Sequence, residues 1–168
     1  THLLNHALRN VLGEDVHQKG SLVDEEKLRF DFSHGHAVTD KQLHSIEQEV
    51  ITAIEADLTV HAKVVPLDDA LNVCGLRAVF GERYPDPVRV VSVGKAIDKL
   101  LENPSNHDWM KHSIEFCGGT HLQSSKQAEC FAILHEHALA SGVRRMTAVT
   151  GKRAKDVHDS GAQLMSEI

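Results

Sequence analysis

The apolar residues of this chain change their spacing several times, and that change of period limits it to a fold mixing helices with strands. Leu3, Leu4, Ala7, Leu8, Val11 and Leu12 recur at helical spacing and stop at Gly13, an amphipathic helix closed by a glycine. From Val16 to Ser33 the period is two. Val16 to Val23 and Lys27 to Phe32 alternate about the polar Asp24-Glu25-Glu26, which predicts a β-hairpin. Gly20 within the first strand marks a bulge or a close approach to backbone. Thr39 and Gln42 have the spacing of a capping box, opening a long helix through Leu43, Ile46, Val50, Ile54 and Leu58.

Further strands are expected at Val60 to Val65, ended by Pro66, at Arg77 to Phe80 and at Val88 to Val93, with a short helix over Leu67 to Val73. A Gly81 to Pro87 turn joins the second and third of these. Residues 95–112, containing Asn103-Pro104-Ser105-Asn106, read as a polar insertion. Phe131 to His135 and Val143 to Thr150 are the last strands. Gly151 ends the second of them, and the remainder to Ile168 is a charged helix whose apolar residues are Val157, Leu164 and Ile168. This order predicts an α+β fold, a two-layer sandwich of a mainly antiparallel sheet with helices packed on it. The length predicts one domain over residues 1–168, and its start at or inside a helix predicts a fragment of a longer chain.

The formal charge of −6 disfavours a stand-alone, high-affinity nucleic-acid binder, because phosphate neutralisation supplies most of that affinity. Cys74, Cys117 and Cys130 are odd in number and widely spread, which argues against a disulfide framework and for a reducing, cytoplasmic compartment. Neither a membrane span nor a signal peptide is expected.

The chemistry concentrates at Cys117-Gly118-Gly119-Thr120-His121, where a thiol and an imidazole stand four residues apart around a glycine pair. Both are ligands that Zn²⁺ prefers, and a glycine turn lets two side chains of one loop face one ion. Taken alone, the spacing is equally that of a buried structural Cys and a surface His. A second ligand pair has a candidate in His2 and His6, which share a face at i and i+4 on a helix, although the chain holds thirteen His and such pairs arise easily. Arg144 and Arg145 alternate faces, so at most one of them enters a given pocket.

Five stretches in order carry a resemblance. They are Thr1-His2-Leu3-Leu4; Val16-His17-Gln18-Lys19-Gly20-Ser21; Leu28-Arg29-Phe30-Asp31-Phe32-Ser33-His34; Cys117-Gly118-Gly119-Thr120-His121; and Gly142-Val143-Arg144-Arg145-Met146-Thr147-Ala148-Val149-Thr150-Gly151. Together they resemble the editing domain of alanyl-tRNA synthetase from end to end. Tyr84 to Ser92 and the insertion before Cys117 are similar to the eukaryotic cytosolic form.

The resemblance implies a zinc site with His2, Cys117 and His121 as ligands. The family's first His falls four positions before His2, outside this sequence, and His6 restores that spacing at a position where the family has an apolar or aromatic residue. It implies a pocket built from Thr1, Gln18, Gly118, Gly119, Thr120 and Arg144, with Thr1, Gln18 and Arg144 closest to the chemistry. The implied reaction is hydrolysis of the ester that joins a wrong amino acid, serine or glycine, to the 3′ terminal adenosine of tRNA(Ala), as part of an alanine-tRNA ligase that binds ATP elsewhere. The implied partners are that tRNA end and the remaining domains of the synthetase, with no membrane. A free-standing deacylase of the same superfamily would carry a small β-barrel ahead of the metal motif. The Val-x-Gln-x-Gly-Ser and Arg-Phe-Asp-Phe-Ser-His stretches favour the alanyl over the threonyl branch. A zinc- or tRNA-binding module without catalysis is the reading from another class.

Overall fold

The expected periods form the expected elements almost throughout. In a computed structural model, which describes residues 1–79 and 81–166, the chain runs α1 (His2–Leu12), β1 (Gln18–Val23), β2 (Leu28–Ser33), α2 (Asp40–Glu55), β3 (Val60–Val65), α3 (Leu67–Leu71) and β4 (Leu76–Arg77). It continues with β5 (Val88–Val93), α4 (Ile97–Glu102), a short 3₁₀ helix (His107–Lys111), β6 (Ser113–Phe116), a second 3₁₀ turn (Ser125–Ala128), β7 (Phe131–Ala140), β8 (Val143–Thr150) and α5 (Gly151–Ser166). The α+β class with mainly antiparallel pairing is as expected, and the strands divide into two four-stranded sheets ordered β1-β2-β8-β7 and β3-β5-β6-β4. Each sheet belongs to its own compact unit. One comprises Thr1, residues 3–55 and 128–166, and the other His2 with residues 56–127.

In the first unit, α1 turns Leu4, Ala7 and Leu8 inward. It stops where Gly13, at φ +115°, donates its N–H to the Arg9 carbonyl at 2.9 Å, a backbone conformation that side chains with a Cβ avoid. The β1–β2 turn is closed by Asp24, whose carboxylate accepts the N–H groups of Glu26 and Lys27 at 2.9 Å each. The register slips between Gln18 and Gly20, where the glycine signalled a bulge. At α2 the capping box forms as read. Thr39 N–H donates to Gln42 Oε1 at 2.9 Å, and Gln42 N–H to Thr39 Oγ1 at 3.3 Å. The helix ends three residues before Leu58, which lies in the other unit. Phe30 and Phe32 of β2, fully buried, pack with Leu4, Leu8, Ile46 and Met146 into this unit's core. On α5, Ala154 is the buried residue, whereas Val157 and Leu164 are exposed and Ile168 lies outside the described residues.

In the second unit, β5 pairs antiparallel with β3 and β6, and its Val88, Val90, Val91 and Val93 are all buried. The strand expected over Arg77 to Phe80 is the two-residue β4, and Phe80 lies outside the described residues. It pairs in parallel with β6, which takes the place beside β5 that the Gly81 to Pro87 turn had suggested for it. Residues 95–112 carry Ile97, Leu100 and Trp109 into the second core. Trp109 Nε1–H donates to the Asn103 carbonyl at 2.7 Å, so the polar Asn-Pro-Ser-Asn run serves as the acceptor for a buried indole. Gly75, at φ +82°, allows this region to close, because a Cβ there would meet Met110 Cα at 2.9 Å.

Candidate functional site

Strand β6 has two chemically different faces. Ile114 and Phe116 point into the second apolar core, while Ser113, Glu115 and, in the same phase just past the strand end, Cys117 take the other side. That polar side meets the first residue of α1. Ser113 Oγ donates to the His2 carbonyl at 3.3 Å, and the Glu115 carboxylate is in ion-pair contact with His2 Nδ1.

The other ring nitrogen of His2 faces the metal loop. His2 Nε2 stands 3.1 Å from His121 Nε2, and the rings meet edge to face with centroids 4.9 Å apart. Ligand atoms of His2, Cys117 and His121 all lie within 4.8 Å of one another, and all three residues are half-buried. Among the described residues this is the one such convergence of His, Cys, Asp and Glu. Two nitrogens held by a tetrahedral Zn²⁺ at 2.0–2.1 Å would be about 3.3 Å apart, so the observed spacing suits a shared ion. Among the described residues His121 Nδ1 is buried without a hydrogen-bond partner, and burial, then the nearby His2, hold the His121 pKa below the ordinary histidine value. A neutral imidazole is the ligand form. Two imidazole nitrogens and a thiol, with a carboxylate behind one ring, is a donor set that fits zinc.

The loop carrying Cys117 and His121 is clamped from β5. Arg89 Nη1–H donates to the carbonyls of Cys117, at 3.0 Å, and Gly119, at 2.8 Å, while Cys117 N–H donates to the Arg89 carbonyl at 3.2 Å. Gly119 N–H donates to Cys117 Sγ at 3.4 Å. Gly118, Gly119 and Thr120 are exposed along this loop. Neither Arg89 nor Glu115 stood out in the sequence. The signal for Glu115 is its phase: a lone acid alternating with apolar Ile114 and Phe116, two residues before the thiol.

The remaining expected site residues belong to the first unit. Thr1 is the N-cap residue of α1 and its carbonyl accepts the Asn5 N–H at 2.9 Å. Gln18 and Arg144 lie in one cross-strand row, because Phe32 of β2 is the register partner of both, Gln18 on β1 and Arg144 on β8. In-register neighbours share a face, which puts both on the side of the buried Phe32, about 10 Å apart across two strand spacings. Arg144 is paired with Glu136, whose other oxygen accepts the Val38 N–H at 3.3 Å. Arg145 points to the opposite face, as the alternation requires, and makes a two-pronged pair with Asp31 at 2.7 and 2.8 Å. His6 is not in the ligand cluster; its Nδ1 stands 3.3 Å from Arg9 Nη2.

Comparison with known proteins agrees with the resemblance read from the motifs. The family described as threonyl and alanyl tRNA synthetase second additional domain matches residues 88–147, a span that includes Arg89, Glu115, Cys117, His121 and Arg144. The chain is 53% identical to the cytoplasmic alanine–tRNA ligase of Dictyostelium discoideum over 98% of its own length and 17% of that protein's. It is 52% identical to the mitochondrial alanine–tRNA ligase of Saccharomyces cerevisiae over its whole length and 17% of the relative's. With the alanine–tRNA ligase of Schizosaccharomyces pombe it shares 51% identity over 94% of the chain and 16% of the relative. The chain thus spans about a sixth of the length of these curated relatives.

Proposed function

Because the chain belongs to the threonyl and alanyl tRNA synthetase second additional domain family, in its alanine–tRNA ligase form, we propose that it hydrolyses Ser-tRNA(Ala) and Gly-tRNA(Ala) at the 3′ terminal ester. The observation that carries this reading is the convergence of His2 Nε2, His121 Nε2 and Cys117 Sγ. A synthetic site shaped for alanine cannot reject glycine by size, and an apolar pocket excludes an added hydroxyl weakly, so a second, hydrolytic sieve is the general remedy.

His2, Cys117 and His121 would hold the zinc. The ion would supply Lewis-acid or orienting chemistry toward the ester carbonyl. Water, substrate or the histidine that the family pattern carries before His2 would complete the donor set. Cys117, committed as a ligand, is not a nucleophile. The Thr1 hydroxyl is suited to hydrogen-bond the serine side chain; alanine would leave it unpaired, at about 1–3 kcal/mol. Gln18 supplies an amide donor for the substrate or the developing oxyanion, and Arg144, held by Glu136, a cation for the terminal nucleotide. The backbone of the exposed Gly118-Gly119-Thr120 stretch would border the bound ester.

The partners in this reading are the single-stranded tRNA end and the remaining synthetase domains, which would carry most of the tRNA affinity; the −6 charge is consistent with that division. A cytoplasmic location is proposed on the name of the Dictyostelium relative, and among the described residues no helix is long and apolar enough to cross a membrane.

Single-turnover deacylation tests the reaction. Ser-tRNA(Ala) should be hydrolysed faster than Ala-tRNA(Ala), by about 5- to 150-fold for an unpaired hydrogen bond of that size; Gly-tRNA(Ala), which lacks that hydroxyl, should be hydrolysed without this advantage. Zinc-loaded chain that leaves all three esters intact would overturn the reading in favour of a binding module.

A further inference from the structure

We propose that Glu115 is a positioning residue for the metal site: its carboxylate fixes the His2 ring so that Nε2 presents its lone pair to the focus shared with Cys117 and His121. The inference rests on the metal reading above.

A carboxylate that is 8% exposed is costly to bury unless it is paired. The apolar alternation of β6 would be served as well by a small residue at this position. Glu115 is in ion-pair contact with His2 Nδ1, a buried nitrogen with no hydrogen-bond partner among the described residues. On the β4 side its register partner is Arg77, and on the β5 side it is the apolar Val91. An ionised carboxylate accepts and cannot donate, so the proton of a neutral His2 ring belongs on Nδ1 and the lone pair on Nε2. Nε2 is the nitrogen 3.1 Å from His121 Nε2.

The period of the strand makes the arrangement rigid. Ser113, Glu115 and Cys117 follow at two-residue intervals, so one strand face secures the His2 carbonyl, orients its ring and supplies a thiol ligand. A carboxylate behind a ligating imidazole sets its tautomer and raises its basicity, and losing such a partner typically weakens metal affinity about 10- to 100-fold.

Two readouts test this apart from activity. In the metal-free, ¹⁵N-labelled chain, long-range proton–nitrogen correlations should show His2 protonated at Nδ1. Glu115→Gln should yield a tautomer mixture, and zinc competition against a chromophoric chelator should show affinity about 10- to 100-fold weaker. Glu115→Asp, which keeps the charge, should recover part of the loss. Wild-type His2 protonated at Nε2 would overturn the inference even if the variants did not fold, as would Glu115→Gln affinity within twofold of wild type. Wild type that binds no zinc would remove the metal reading and the inference together.

Discussion

The two units treat their polar side chains in opposite ways. In the first, each arginine of β8 is matched by an acid: Arg144 by Glu136 on one face and Arg145 by Asp31 on the other. In the second, the inward nitrogens of His2 and His121 and the thiol of Cys117 face one another. If one ring carries its proton on Nε2 the two imidazoles can hydrogen-bond, whereas with both protons on Nδ1 two lone pairs face each other and call for a shared cation. Paired charges hold a surface in shape, whereas converging lone pairs await a ligand. The ion pairs of the first unit therefore read as supports for the Gln18–Phe32–Arg144 row, and the second unit holds the candidate metal site.

The largest test of this contrast separates packing from ligation. Leu100→Ala, at a fully buried position of the second core, should lower unfolding stability by about 2–5 kcal/mol, measured by urea denaturation. Phe30→Ala should cost the first core about 3–5 kcal/mol. A loss below about 1 kcal/mol at either position would mean that the packing is not as described.

Zinc distinguishes the units more directly. At a free concentration 100 times its dissociation constant it should raise wild-type stability by about 2.7 kcal/mol. Arg144→Met should retain this increment, because its guanidinium serves the first unit, and Cys117→Ala should lose it. An increment that survives Cys117→Ala would place the ion elsewhere.

Smaller is the acid dependence of the Asp31–Arg145 pair. The hydrogen bond from Arg145 lowers the Asp31 pKa from its ordinary 3.8, so the unfolded chain binds more protons just below that value. The contribution is full above pH 3.8 and is lost as pH falls through the folded value. Asp31→Asn should therefore cost roughly 1 kcal/mol at neutral pH, and its difference from wild type should shrink below about pH 4. A pH-independent difference would show that the charge is not what stabilises the pair. Of similar size is Thr39→Ala, which removes half of the capping box at α2 and should cost about 0.5–2 kcal/mol, with the rest of the fold unchanged.

What the sequence disclosed follows from how local each signal is. The bulge at Gly20, the capping box and the edges of β3, β5 and β8 are written in neighbouring residues and form as read. The division of strands into two sheets and the parallel β4–β6 pair depend on partners far along the chain, which periodicity does not encode. Residues 95–112 were misleading in composition: polar on average, they hold Ile97, Leu100 and Trp109 at spacings that bury them. At the site, the motifs named the three converging side chains, while Glu115 and Arg89 went unnoticed because they contact that cluster and its loop rather than belong to it. The notion that His6 could replace a ligand rested on helical spacing alone, and its ring is engaged by Arg9 instead.

The claim that a cation completes the second unit is tested most directly by titrating the metal-free chain with Co²⁺, a spectroscopic substitute for zinc, and recording its absorption. The expected result is saturation at one equivalent, with the intense charge-transfer band of a thiolate–cobalt bond and the visible bands of a tetrahedral ion, both lost in Cys117→Ala. Weak octahedral bands without a thiolate contribution, or a spectrum unchanged by Cys117→Ala, would contradict it.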